Sequence, residues 1–133
     1  MMNDVRNTIQ HKIVYETVLK MHNHPSAEEI YQTIKKEFPH ISMGTVYRNL
    51  NRLARNGLIQ RVELPNDADR FDYQTHKHHH LKCHKCNGIF DIDINIDKDI
   101  SDYLITNGHK IESYQLVFNG ICNNCLNKRK DYM

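Results

Sequence analysis

Ser42-Met43-Gly44-Thr45-Val46-Tyr47-Arg48-Asn49-Leu50-Asn51-Arg52-Leu53-Ala54-Arg55-Asn56-Gly57 is the stretch that decides the fold. Ser42 stands where a helix needs an N-cap oxygen, and Gly57 stands where a helix commonly ends in a left-handed residue. Between them Val46, Leu50 and Leu53 recur at helical spacing and should face a core, with Tyr47, Arg48, Asn49, Arg52 and Arg55 on or near the exposed side. Upstream, Ser26-Ala27-Glu28-Glu29 is a capping box, opening a helix with Ala27, Ile30, Tyr31, Ile34 and Phe38 on one face, which Pro39 ends. Further upstream, Val5, Ile9, Ile13 and Thr17 or Val18 recur near a helical period until His22-Asn23-His24-Pro25 breaks it. Downstream, Leu58–Leu64 and Arg70–Gln74 look like strands around the turn formers Pro65-Asn66-Asp67. Helix, helix, turn, helix, hairpin is the order of a winged helix-turn-helix, whose third helix enters the DNA major groove.

After Tyr73 the character changes. Leu81–Cys83 and Ile89–Ile92 read as short strands, and Asp97–Asn107 as a helix closed by Gly108. Tyr114, Leu116 and Phe118 alternate as one face of a strand ending at Gly120, and the basic tail from Asn123 has helical character. The same half carries Cys83-x-x-Cys86 and Cys122-x-x-Cys125. Two residues between cysteines let a tight turn present both sulfurs along one edge of a tetrahedron. Two such turns complete an all-thiolate zinc (Zn2+) site with no open position. Asn87-Gly88 and Gly120 supply the turn residues. A dithiol redox motif needs one pair, so structural zinc is the stronger reading.

Composition agrees. A chain of 133 residues buries a limited share of its surface, so a metal or a dimer interface is expected to supplement its core. No apolar run approaches a membrane span, and Met1 to Arg6 lacks the apolar centre of a secretory signal. A cytoplasmic protein is therefore expected, where four cysteines point to metal rather than disulfides. The net charge of +2 matters less than its distribution. Arg48, Arg52, Arg55 and Arg61 cluster as candidates for phosphate contact, whereas acidic residues collect from Asp91 to Asp102.

Ten histidines are many for this length, and four fall in His76-Lys77-His78-His79-His80. With Asp72 and Asp91 nearby and His24 upstream, imidazole and carboxylate donors suit Fe2+, Mn2+ or zinc. A solvated, histidine-rich linker is an equal alternative on spacing alone.

Four motifs in order carry a family resemblance: His24-Pro25-Ser26-Ala27-Glu28-Glu29-Ile30-Tyr31, Gly44-Thr45-Val46-Tyr47-Arg48-Asn49-Leu50, Arg70-Phe71-Asp72, and His78-His79-His80-Leu81-Lys82-Cys83-His84-Lys85-Cys86. Over nearly its whole length the chain resembles the ferric uptake regulator (Fur) superfamily, and within it the peroxide-sensing branch. The resemblance implies a regulatory Fe2+ or Mn2+ site built from His24, Asp72, His78, His80 and Asp91. Iron-sensing relatives usually carry glutamate at the positions of Asp72 and Asp91, so these two residues favour peroxide over iron. It further implies that iron with peroxide oxidises His24 or His78, and that a manganese-loaded form represses without responding. A homodimer on a palindromic double-stranded DNA operator is implied too, with Tyr47, Arg48, Asn49, Arg52, Arg55 and Arg61 as DNA contacts. Family members commonly have an additional N-terminal helix, and few residues precede Arg6 here, so DNA affinity or wing geometry is expected to differ. A further histidine found in the strand before the second cysteine pair of iron-sensing members is missing at Ser113-Tyr114-Gln115, so His79 is expected at the surface.

The expected fold is α+β: a winged helix-turn-helix domain over residues 1–74, a hinge over 75–79, and a small α/β dimerisation domain over 80–133 holding the four-cysteine zinc site. The expected function is a metal-dependent, peroxide-responsive repressor. The alternative is a regulator of iron, manganese or zinc uptake without peroxide sensing. A metalloenzyme fits poorly, because five protein ligands leave little coordination open, and no glycine-rich phosphate loop or nucleophile with its base is present.

Overall fold

The structure is a computed structural model describing residues 2–75, 78–112 and 114–131, apart from the side chains of residues 2–6, 104–106 and 129–131. Its chain forms two compact units, Met1–His76 and Lys77–Met133. Of the expected hinge, His76 and Lys77 lie outside the described residues.

The first unit holds α1 (Met2–Lys20), α2 (Ala27–Glu37), α3 (Met43–Arg55), β1 (Gln60–Val62) and β2 (Arg70–Asp72). The two caps form as their residues dictate. Ser26 Oγ accepts the N–H of Glu29 at 3.2 Å while the Glu29 carboxylate accepts from the Ser26 N–H at 3.4 Å. Ser42 Oγ accepts the N–H of Thr45 at 3.1 Å. At the far end of α3, Gly57 takes φ +75°. That turn lets Leu58 N–H reach the Leu53 carbonyl at 3.0 Å and Gly57 N–H reach Ala54 at 3.1 Å, so two orphan carbonyls are satisfied. Ile30 and Ile34 of α2 close an apolar core with Val46, Leu50 and Leu53 of α3.

The first helix differs from its periodic reading. Val14 and Val18, four residues apart on one stripe, are fully buried against that core, and Ile9 is 54% exposed. Phe38 follows the last turn of α2 with φ −125°, so its ring leaves the helical face and is 39% exposed. β1 and β2 pair antiparallel with Arg61 opposite Phe71, and Ser26 bridges to Arg70, tying the start of α2 to the hairpin.

The second unit holds β3 (His79–Cys83), β4 (Ile89–Ile92), α4 (Asp97–Asn107), β5 (Val117–Gly120) and α5 (Asn123–Asp131). β3 lies between antiparallel β4 and parallel β5. The strand expected from Tyr114 begins only at Val117. His79, expected at the surface, is 3% exposed. It sits on the central strand with its ring stacked on Tyr114, centroids 5.5 Å apart. No helix among the described residues is long and apolar enough to cross a membrane.

Candidate metal centres

The four cysteines come together because strand register aligns two turns. Cys83 ends β3 directly opposite Gly120, which ends β5, so Cys122 follows two residues later beside it. The first turn is closed by Asn87 N–H on the Cys83 carbonyl at 2.9 Å and Cys83 N–H on Gly88 at 3.0 Å. Asn87 takes φ +62°, a left-handed position asparagine tolerates. Gly88 keeps the turn tight: a Cβ there would lie 3.0 Å from the Phe90 ring and 3.3 Å from Cys86 Sγ, so both side chains would have to shift. The second pair opens α5, with Leu126 N–H on the Cys122 carbonyl at 3.0 Å.

All four sulfurs lie within 4.8 Å of one another and none is in a disulfide. Around a zinc with bonds of about 2.3 Å, tetrahedral sulfur edges are about 3.8 Å. Cys86 Sγ and Cys122 Sγ are 3.9 Å apart. The thiols also show how poorly the cluster suits itself without a cation. Cys83 is lowered to about 6, first by the backbone N–H of Cys122, which donates to its sulfur at 3.3 Å. Cys125 is raised to about 12, first by hydrogen bonding with the Cys122 side chain and then by burial. One thiolate is favoured and another suppressed, and a dication removes the conflict by stabilising every sulfur as thiolate. Donor set and spacing both fit zinc.

The harder donors form one group in each unit. In the first, His24 Nε2 lies 3.1 Å from Asp72 Oδ2, with both residues buried. His24 closes the loop after α1, and Asp72 ends β2. Asp72 Oδ1 is held by the backbone N–H of Gln74 at 2.9 Å, which aims the other oxygen at the imidazole. His24 is held with φ +54°, a left-handed conformation that costs a residue with a Cβ about 1–2 kcal/mol. In the second unit the β3–β4 register sets His80 opposite Asp91. His78 shares their face two residues earlier. Asp91 Oδ1 is 3.1 Å from His78 Nε2 and 3.5 Å from His80 Nε2, and the rings stand 4.6 Å apart. Each group presents carboxylate oxygen with imidazole nitrogen, the donor mixture that suits Fe2+ or Mn2+.

The third helix separates the expected DNA contacts into two sets. Tyr47 is 43% exposed, and Arg48, Arg52 and Arg55 are exposed. Arg48 Nη1 lies 3.2 Å from where a Cβ on Gly44 would stand, a contact this exposed side chain could relieve by moving. Asn49, by contrast, is 8% exposed. Its amide donates to the Thr45 carbonyl at 2.8 Å, so its oxygen must accept from His11 Nδ1 at 3.2 Å. Asn49 thus ties α3 to α1. Its position in the helical wheel hid this, because the partner comes from a distant helix. Arg61 is held in the hairpin by Asp69 at 3.1 Å and by Asn51, and lies over the Phe71 ring.

Residues 2–119 match the ferric uptake regulator family. The chain belongs to that family. As a ferric uptake regulator family member it is a transcriptional regulator and not an enzyme. It is 32% identical to the peroxide-responsive repressor PerR of Staphylococcus saprophyticus, covering 95% of this chain and 86% of that one. The PerR of Staphylococcus epidermidis is 32% identical over 91% of this chain and 81% of its own. Among solved structures, the Campylobacter jejuni peroxide stress regulator superposes with a TM-score of 0.71 at 32% identity, covering 93% of this chain and 94% of that one. The Helicobacter pylori ferric uptake regulator superposes with a TM-score of 0.72 at 23% identity, over 88% and 79%, and shows the shared fold.

Proposed function

We propose that this family member is a cytoplasmic, homodimeric repressor that binds a palindromic operator when Fe2+ or Mn2+ is bound, and releases it when peroxide oxidises a ligand. The observation that carries this is the pairing of an aspartate with imidazole in each unit, His24 with Asp72 and His78 and His80 with Asp91. Each group alone is short of the donors that such ions take, and one ion drawing on all five would tie the first unit to the second. Its four-cysteine cluster takes zinc and has a structural part only, because four thiolates leave no position open. The likeness to PerR proteins at 32% identity supports peroxide as the signal.

When bound, Fe2+ would supply one electron that splits hydrogen peroxide and would take one back from the ring. Net, one peroxide oxygen would enter a C–H bond of the His24 or His78 imidazole, and the other would leave as water. The oxidised ring is a weaker ligand, and the link between the units opens. For the ion to hold the closed form at about 99%, starting from 1%, it must bind that form roughly 10,000-fold better. Losing one strong ligand is enough to forfeit such a preference. Iron-loaded protein treated with peroxide should leave the operator, and mass spectrometry should find one added oxygen on the peptide carrying His24 or His78. Manganese-loaded protein should do neither. Retention of the operator by the iron form would leave a regulator of metal uptake.

On the DNA side, Tyr47, Arg48 and Arg52 face the groove and Arg55 and Arg61 meet phosphates, while Asn49 braces the helix. Arg48→Ala should weaken operator binding by about 1–3 kcal/mol and relax preference at one base position. Arg55→Ala should weaken all sequences alike and lower the salt dependence by about one charge. Unchanged operator affinity in Arg48→Ala would remove α3 as the reader.

A further inference from the structure

The residue that places His24 is not itself a ligand. Three groups converge on the short loop before α2. Arg70 Nη1 donates to the His24 carbonyl at 3.2 Å, across 46 positions of sequence. The same guanidinium nitrogen lies 3.5 Å from Glu29 Oε1, the capping-box carboxylate, and the Arg70 side chain is only 16% exposed. One residue further on, the Phe71 N–H donates to the Pro25 carbonyl at 2.8 Å, and Ser26 bridges to Arg70. His24 between these ties has φ +54°. A side-chain-bearing residue keeps such a conformation only where its surroundings over-determine it. The next residue but one on this strand is Asp72, whose Oδ2 meets His24 Nε2 at 3.1 Å.

We propose that Arg70 is the positioning residue of the regulatory metal site. It locks the left-handed backbone of His24 so that the imidazole meets Asp72 in ligand geometry, with Glu29 holding the guanidinium from behind. This rests on the reading of His24 and Asp72 as ligands. The chain of cause runs from cap to metal. Glu29 closes the start of α2 and orients Arg70. Arg70 fixes the His24 carbonyl, and strand β2 delivers Asp72 to the same place. Arginine serves because its planar, permanently charged group holds Nη1 at a fixed angle, where that one nitrogen meets both the His24 carbonyl and the Glu29 carboxylate. Lysine carries the same charge on a flexible stem and holds that position less firmly.

The test is a double-mutant cycle read as Mn2+ affinity by calorimetry on the zinc-loaded full chain, with helix content followed by circular dichroism. Arg70→Ala is expected to weaken Mn2+ binding about 10-fold to 100-fold, the range for residues that orient ligands. Arg70→Lys should restore part of the loss. In a His24→Ala background, Arg70→Ala should cost nothing further, because the residue acts only through His24. An equal loss in both backgrounds would mean a general effect on the fold, and the proposal would be wrong. Wild-type affinity in Arg70→Ala would overturn it as well. Wild-type affinity in His24→Ala would instead defeat the ligand assignment on which it rests. Glu29→Gln keeps a capping box and removes only the charge behind Arg70. It should show a smaller loss in the same direction, and serves if Arg70→Ala does not fold.

Discussion

Removing zinc, by chelation or by Cys122→Ser, is expected to unfold the unit from Lys77 to Met133 and leave the first unit folded. The reason lies in where the apolar core sits. The buried cluster that includes Val14, Ile30, Leu50, Leu53 and Phe71 belongs wholly to the first unit. In the second, the buried hydrophobic side chains among the described residues are Cys83, Ile89 and Cys122. Two of these are candidate ligands, so the sulfur cluster takes the place of a hydrophobic core. Zinc in such a setting contributes about 10–16 kcal/mol, as much as the whole stability of an ordinary domain. Three short strands do not replace it. Proton competition gives the sign with pH: each sulfur must lose its proton to ligate, so zinc leaves as the solution is acidified and stays at neutral pH and above. Thermal melts followed residue by residue in NMR should show two transitions, with chelator abolishing only the one from the second unit. A single melt indifferent to chelator would contradict the reading.

The second large effect is expected at His24. His24→Asn should lower Mn2+ affinity by at least about 100-fold, since a direct ligand is worth more than the residues that orient one. Operator binding should then no longer respond to the metal. Asparagine is the informative replacement because it tolerates the left-handed backbone at φ +54° and can still donate to Asp72. The first unit should therefore keep its fold while losing the ion. Asp72→Ala should have the same consequence for the metal at a greater cost in stability, because it also frees the backbone N–H of Gln74, which Asp72 now accepts. Unaltered Mn2+ binding in His24→Asn, measured by calorimetry, would exclude this histidine from the site.

Where the two levels of description agree, the signals are local. The capping box at Ser26 and Glu29, the cap at Ser42 and the glycine stop at Gly57 involve partners three to five residues apart, so their chemistry is complete within one turn of helix. The Cys-x-x-Cys pairs belong to the same class, since a tight turn presents two sulfurs whatever surrounds it. The departures come from partners that the chain brings from afar. Asn49 occupies a position near the exposed face of its helix, yet His11 of α1 covers it. His79 has a polar setting in sequence and a central strand in space. Ile9 follows the helical period of α1 but falls off the stripe that Val14 and Val18 bury.

The stretch from Ser42 to Gly57 by itself determined a capped helix with an apolar face and an arginine-bearing one, and with its neighbours the order of a winged helix. Residue types and spacing also pointed to a soft sulfur site, and left the harder nitrogen and oxygen donors evenly open between a metal site and a solvated linker. Only the tertiary structure decided how each donor is held. The β3–β5 register brings Cys122 to Cys83, the β3–β4 register sets Asp91 against His80, and Arg70 reaches back to the carbonyl of His24. Such pairings depend on strand register and chain reversal, where a slip of one residue turns every side chain to the opposite face. A helix closes its own hydrogen bonds and can be read from its own residues. A site assembled across strands cannot.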